Sequence, residues 1–187
     1  MMSSQNEKVN LFATPLWTYY LDNSEDLNKK LYKESQYYQD GMNLFDFPGS
    51  GIAQLKQQLV ACAESVAKEY QWRSNNGKPS YYHARQNPIG PNEFDTPHYH
   101  ENSKLIAVYY VIANDKSGDI ILHDTRGATN WIDPAVVTES TGRECRTYHR
   151  ITPRPGMMIM FPSYLIHSVE PNFSGTMRLS IAMSVQE

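Results

Sequence analysis

The stretch "TPHYHENSKLIAVYYV", residues 96–111, sets His98 and His100 one residue apart at the mouth of an apolar run. Side chains at i and i+2 of a strand leave the same face with Cα atoms about 6.5 to 7 Å apart, so both imidazoles can converge on one metal. Alone the pair is a weak sign, because most His-x-His pairs in soluble proteins are surface or half-buried histidines. A metal needs a further donor, and "PGMMIMFPSYLIHSVEPN" supplies one, read as a long apolar strand that ends by presenting His167 just before Ser168.

The last strand-like segment carries a different chemistry. In "TMRLSIAMSV", Met177, Leu179, Ile181, Met183 and Val185 fall on one face, and Arg178, Ser180, Ala182 and Ser184 on the other. An unpaired guanidinium buried in a small β-barrel costs several kcal/mol, and no acidic residue shares its strand face. An external carboxylate meets that need, with Arg178 offering a fork of donors and the Ser180 hydroxyl one more. An acid on a neighbouring strand meets it equally well, so this strand alone leaves both readings open.

These residues need elements to hold them. Leu27, Leu31 and Tyr38 form a helical stripe in "NSEDLNKKLYKESQYYQ", which opens on cap-competent Asn23 or Ser24. A second helix is predicted over residues 51–72, where Ile52, Leu55, Leu59, Val66 and Tyr70 recur with a period near 3.6. Ahead of both, "VNLFATPLWTYYL" reads as an edge strand or extended arm interrupted by Pro15. From Pro79 onward the pattern changes to period two with turn punctuation, in "SYYHARQNPI", "KLIAVYYVIAN", "GDIILHDT", "RTYHRITP", "GMMIMFPSYLIHSV" and "TMRLSIAMSV". Helices first and strands after give an α+β class with a C-terminal β-sandwich or open barrel. Residues 128–142, with Trp131, read as an inserted loop of the kind that lines ligand sites.

Composition sets outer bounds. A chain of 187 residues suits one domain. A net charge of -3 with no basic run argues against nucleic acid or an anionic membrane as partner. The two cysteines, Cys62 and Cys145, suggest neither a disulfide framework nor a cysteine zinc site, so a reducing cytoplasm is expected. The N-terminus lacks an apolar targeting core, and no stretch approaches the roughly 20 apolar residues of a membrane span.

Taken in chain order, His98-x-His100, then His167, then Arg178-x-Ser180 resemble the pattern of the non-haem iron(II) and 2-oxoglutarate dependent dioxygenases. That family places His-x-Asp, a distal His and Arg-x-Ser on successive strands of a double-stranded β-helix. More narrowly, "NLFATPLW", "HYHENSKLIAVYYV", "HDTRG" and "PGMMIMFPSYLIHSVEPN" look like the small oxygenases of bacteria and their phages, over most of the chain.

The resemblance implies N-terminal helices packed on a C-terminal double-stranded β-helix, jelly-roll and cupin-like. A single domain would span 1–187, with 1–78 mainly helical support and 79–187 the β-helix core. It also implies Fe(II) held by His98, His100 and His167, and 2-oxoglutarate anchored through its far carboxylate by Arg178 and Ser180. Tyr110 would reach the same carboxylate and Asn87 the metal end of the cofactor. Packing for the tyrosine, and a turn role for an asparagine before Pro88, are the plainer readings. The implied reaction uses molecular oxygen, hydroxylates a small-molecule or peptidyl substrate and releases succinate and carbon dioxide. One departure stands out: position 100 is a histidine where the broad family has aspartate, which gives three neutral imidazoles.

Asp124 and Arg126 are expected to form a loop ion pair, and His83, His123 and His149 to be structural. Two rivals remain. A cupin-type metal enzyme without 2-oxoglutarate usually has a glutamate four or five residues beyond the second histidine, where this chain has Lys104 and Leu105, with Glu101 too early. A non-catalytic β-sandwich binding module leaves Arg178 unexplained.

Overall fold

The computed structural model describes residues 13–39, 41–72, 81–126 and 147–186. Helix α1 spans Ser24–Ser35 and begins after Asn23, which takes a left-handed φ of 54° without a side-chain cap bond. Glu25 and Asp26 in its first turn and Lys33 in its last suit the helix dipole. Helix α2, Ser50–Glu69, buries Ile52, Leu55, Leu59, Ala63 and Val66. Its start is capped from α1: the Glu34 carboxylate accepts the N–H groups of Gly51 and Ile52, each at 2.9 Å. A negative charge thereby satisfies two of the orphan donors of α2. The approach is close enough that a Cβ on Gly49 would lie 2.5 Å from Glu34 Oε2.

The strands are β1 (Trp17–Tyr20), β2 (Tyr81–Ile89), β3 (Asp95–His98), β4 (Leu105–Ile112), β5 (Ile120–His123), β6 (Tyr148–Ile151), β7 (Met157–Pro162), β8 (His167–Val169) and β9 (Arg178–Gln186). They form a five-stranded sheet in the order β1-β7-β4-β9-β2 and a four-stranded sheet in the order β3-β8-β5-β6. The pairings are antiparallel. β1, which begins two residues after Pro15, lies on an edge.

β4 explains how the sheets are held. Its Leu105, Ala107, Tyr109 and Val111 share a buried cluster with Leu27, Leu31, Leu55 and Leu59 of the helices. Its Ile106, Val108 and Tyr110 join Ile120 and Leu122 of β5 and Met157, Ile159 and Phe161 of β7 in a second cluster. Both faces of the strand are buried, so its sequence is continuously apolar and not alternating. Tyr109 adds a polar tie by donating to Asn28 Oδ1 at 2.7 Å.

Two sequence expectations change here. The run 157–169 is not one strand: β7 closes at Pro162, the Leu165 N–H donates back to the Pro162 carbonyl at 3.1 Å, and His167 opens β8 in the other sheet. Proline cannot donate to a ladder, so the turn falls there. Likewise His98 ends a short strand of the smaller sheet, whereas "LIAVYYVI" is the centre of the larger one. The predicted loop 128–142 with Trp131 lies outside the described residues. No helix among the described residues is long and apolar enough to cross a membrane.

Candidate active site

The donor atoms of His98, His100 and His167 lie within 4.8 Å of one another. β3 and β8 pair so that His98 sits directly opposite His167. His100 follows two residues on, and its backbone N–H is held by the Ser163 carbonyl at 3.1 Å. Chain alternation therefore persists past the end of β3, with His98 and His100 half-buried and Tyr99 between them exposed.

Hydrogen bonds orient two of the three rings. His98 Nδ1 lies 2.8 Å from the Thr96 carbonyl, and His167 Nδ1 lies 2.9 Å from the Leu165 carbonyl. A carbonyl only accepts, so each Nδ1 carries the proton and each Nε2 presents a lone pair, the arrangement of a metal-ligating histidine. Phe161 packs edge-on against His167, with ring centroids 5.0 Å apart.

Burial pushes His100 down to about 4, helped by neighbouring His167, His98 and the Arg85 charge. Burial also pushes His167 down to about 4, with His98 and His123 adding to the drop and the Leu165 carbonyl and Asp95 opposing it. Both rings are therefore neutral near pH 7, the form that binds a metal. Their folded values lie below the unfolded value of about 6.5, so the unfolded chain takes up protons first as the pH falls. Stability present above about pH 6.5 is lost toward pH 4. Between pH 7 and pH 5 the metal-free protein is expected to lose on the order of 2 kcal/mol through His167 alone. Urea unfolding at the two pH values measures it, and His167→Gln should remove that share.

A second set of groups faces the space between the sheets from the larger one. Tyr110 and Asn87 flank Ser180 in register on its two neighbouring strands. Arg178 is 1% exposed, and its Cζ lies 5.2 Å from the centre of the Tyr110 ring. The Arg178 Nε and Nη1 and the Tyr110 hydroxyl are buried without hydrogen-bond partners. Burial drives Tyr110 up to about 12 against the pull of the Arg178 charge, although no hydrogen bond of normal geometry joins the two. Asp119, whose charge also reaches Tyr110, has Arg150 as its ion-pair partner. Among the described residues no acid pairs with Arg178, so the neighbouring-strand ion pair left open by the sequence is not present.

Ser180 donates to the Asn87 carbonyl at 3.4 Å, a long bond that is cheap to redirect. Asn87 is not a turn residue: it lies within β2, and its Nδ2 donates to Asp95 Oδ2 at 2.8 Å, tying β2 to β3. Asp124 and Arg126 do form a loop ion pair, with Nε of the arginine 2.9 Å from Oδ1. His123 bonds Ser168 Oγ at 2.9 Å, a structural contact. His83 departs from expectation, because it lines a cleft together with Arg85 and His100. Arg85 and Asp95 were not singled out by sequence; the register of β2 on β9 and the irregularity between Asp95 and His98 turn them inward, and neither has a sequence signature.

The donor set suits a divalent transition metal, and the orphaned donors around Arg178 suit a carboxylate. Glu101, the acid nearest the pair in sequence, is exposed and accepts from the Tyr99 hydroxyl at 3.2 Å, outside the triad. The comparisons agree with these fits. A family model described as "Putative 2OG-Fe(II) oxygenase" matches residues 86–184, more than half of the chain. No curated protein matches in sequence. Among solved structures, a Pseudomonas putida prolyl-4-hydroxylase superposes with a TM-score of 0.60 at 15% identity, covering 95% of this chain and 87% of that one. A Trichoplax adhaerens prolyl hydroxylase, solved with a hypoxia inducible factor peptide fragment, gives 0.61 at 14% identity over 94% and 85%. The non-heme alpha ketoglutarate dependent epimerase SnoN of nogalamycin biosynthesis gives 0.62 at 13% identity over 93% and 78%. At such identities the likeness shows the fold: mostly antiparallel sheets arranged as in 2-oxoglutarate oxygenases.

Proposed function

The chain belongs to the 2OG-Fe(II) oxygenase family, with Fe(II) and 2-oxoglutarate as cofactors, and on that premise we propose that it is a hydroxylase of a small-molecule or peptidyl substrate. In this reading His98, His100 and His167 hold the iron, and Arg178, Ser180 and Tyr110 hold the far carboxylate of 2-oxoglutarate. The loaded site supplies oxidative decarboxylation to succinate and carbon dioxide, coupled to hydroxylation of a substrate carbon.

The chain's own residues have definite tasks. Thr96 and Leu165 keep the His98 and His167 tautomers fixed through their carbonyls. Arg178 supplies charge and a planar fork, Tyr110 a hydroxyl that stays protonated, and Ser180 a hydroxyl that can turn from the Asn87 carbonyl. Ile159 and Phe161 of β7 and Val108 of β4 keep the other half of the inner face dry. The observation that carries the reading is Arg178, buried and unpaired on the inner face. Its need for an anion distinguishes this site from a cupin without 2-oxoglutarate and from a binding module.

The finer architecture belongs to the same proposal: residues 1–78 as helical support for a jelly-roll, cupin-like core over 79–187, in one domain working in the cytoplasm. A peptidyl substrate gains support from the peptide-bound Trichoplax neighbour. Anaerobic protein with Fe(II) and 2-oxoglutarate should develop a metal-to-cofactor charge-transfer absorption, and admission of air should yield succinate. Neither band nor succinate would sink the proposal and favour the rivals.

A further inference from the structure

The register of the larger sheet sorts its inner face into rows. His83, Ser184 and Ile106 lie side by side across β2, β9 and β4, and Phe161 continues the row on β7. The next row is Arg85, Ala182, Val108 and Ile159, and the next Asn87, Ser180 and Tyr110. Apart from the Tyr110 hydroxyl the β4 and β7 half is apolar, whereas the β2 and β9 half carries His83, Arg85, Asn87, Ser184 and Ser180, with Ala182 its one apolar member. The proposed 2-oxoglutarate contacts use only the Tyr110 row and Arg178 beyond it. His83, Arg85 and Ser184 are left without a task.

These three line an open cleft with Ile106, Ala182 and His100, so one wall of the cleft is a member of the histidine triad. The cleft opens to solvent, and the space of about 240 Å³ between its walls includes that open side, so it does not enclose a whole ligand. It fits one end of a substrate. Ala182, directly opposite Arg85, offers only a methyl group and leaves the guanidinium room to receive a ligand. Among the described residues no carboxylate pairs with Arg85. Arg178 sits four residues from Ala182 on β9, about 13 Å along the strand, so one small diacid cannot use both arginines as anchors for the same carboxylate.

We propose that the cleft is the substrate subsite and that the substrate carries a carboxylate, held by Arg85 with His83 and Ser184, which sets its reacting carbon beside the triad. The inference rests on the oxygenase reading and names the substrate class for that site. An arginine fork reads a carboxylate bidentately, and the two flanking side chains add a ring nitrogen and a hydroxyl. Ile106 supplies an apolar side for the rest of the molecule.

The test uses the full chain loaded with Zn(II), a redox-inert stand-in for iron, and saturated with 2-oxoglutarate. Ligand-observed NMR then compares a panel of N-acetyl amino acids with their neutral primary amides and with O-phospho-L-serine amide. Binding of one or more acids with their amides at least about tenfold weaker, and loss of at least about tenfold in Arg85→Gln, is the expected result. Arg85 is exposed, so the variant should fold; its 2-oxoglutarate affinity, read by calorimetry, should stay within about twofold of the parent. Amides that bind as well as acids, no acid bound, an acid unaffected by Arg85→Gln, or binding of the phosphate ester alone each overturn the proposal. If the parent fails to bind 2-oxoglutarate, the oxygenase reading falls first and takes this inference with it. If 2-oxoglutarate binds and the acids do not, only the inference falls.

Discussion

Arg178→Met is expected to leave the metal-free protein at least as stable as the parent while weakening 2-oxoglutarate binding roughly 100- to 1,000-fold. The two halves of that result separate a ligand anchor from a structural ion pair. A guanidinium that is 1% exposed, with Nε and Nη1 unpartnered, is a net cost to the free protein, offset in part by its contact with the Tyr110 ring. Replacing it with an unbranched apolar side chain removes that cost. Breaking a buried ion pair would instead destabilise by about 3–5 kcal/mol and lower Tm by on the order of 10 °C. Thermal unfolding of the free protein and calorimetry of the Zn(II)-loaded protein read the two quantities independently. A large fall in Tm with unchanged affinity would mean that Arg178 is structural. Arg178→Lys keeps the charge but loses the fork, and should fall between parent and Met variant.

The same residue shows what the sequence could reveal. Alternation in "TMRLSIAMSV" assigns Leu179, Ile181, Met183 and Val185 to one face, and those four are the residues buried in the cluster that includes the helices. The opposite face is the inner one, so Arg178 and Ser180 were legible from period two alone. The α2 stripe was legible for the same reason, except that Tyr70 lies just past the helix and is 49% exposed. What depended on sheet partners was not legible. Arg85 and His83 face inward because β2 pairs with β9 in one register, and a shift of one residue would turn both outward. The Glu34 cap on α2 joins residues 17 and 18 positions apart, beyond the reach of any local capping pattern. The break at Pro162 was visible as a proline but not as a change of sheet, since apolar residues continue on both sides.

His98→Ala and His167→Ala are expected to lower metal affinity by at least about 100-fold, and His100→Ala by less. The order follows from preorganisation. The His98 and His167 rings are held by the carbonyls two residues before them, so little orientation remains to be fixed on binding. Among the described residues, no such acceptor holds either ring nitrogen of His100. Metal content after gel filtration, with Zn(II) titration by competition against a chelator, gives the ranking. Full occupancy in His100→Ala would remove position 100 from the triad. His100→Asp is the more informative partner to that variant. It restores the charge that three imidazoles lack at a half-buried position, and should bind Fe(II) at least as tightly as the parent. His167→Asp should not, because position 167 is 4% exposed, packs against Phe161 and needs the length of an imidazole to reach the centre. If both aspartate variants behave alike, the two positions are equivalent ligands and the orienting carbonyl of Leu165 has no consequence for the metal.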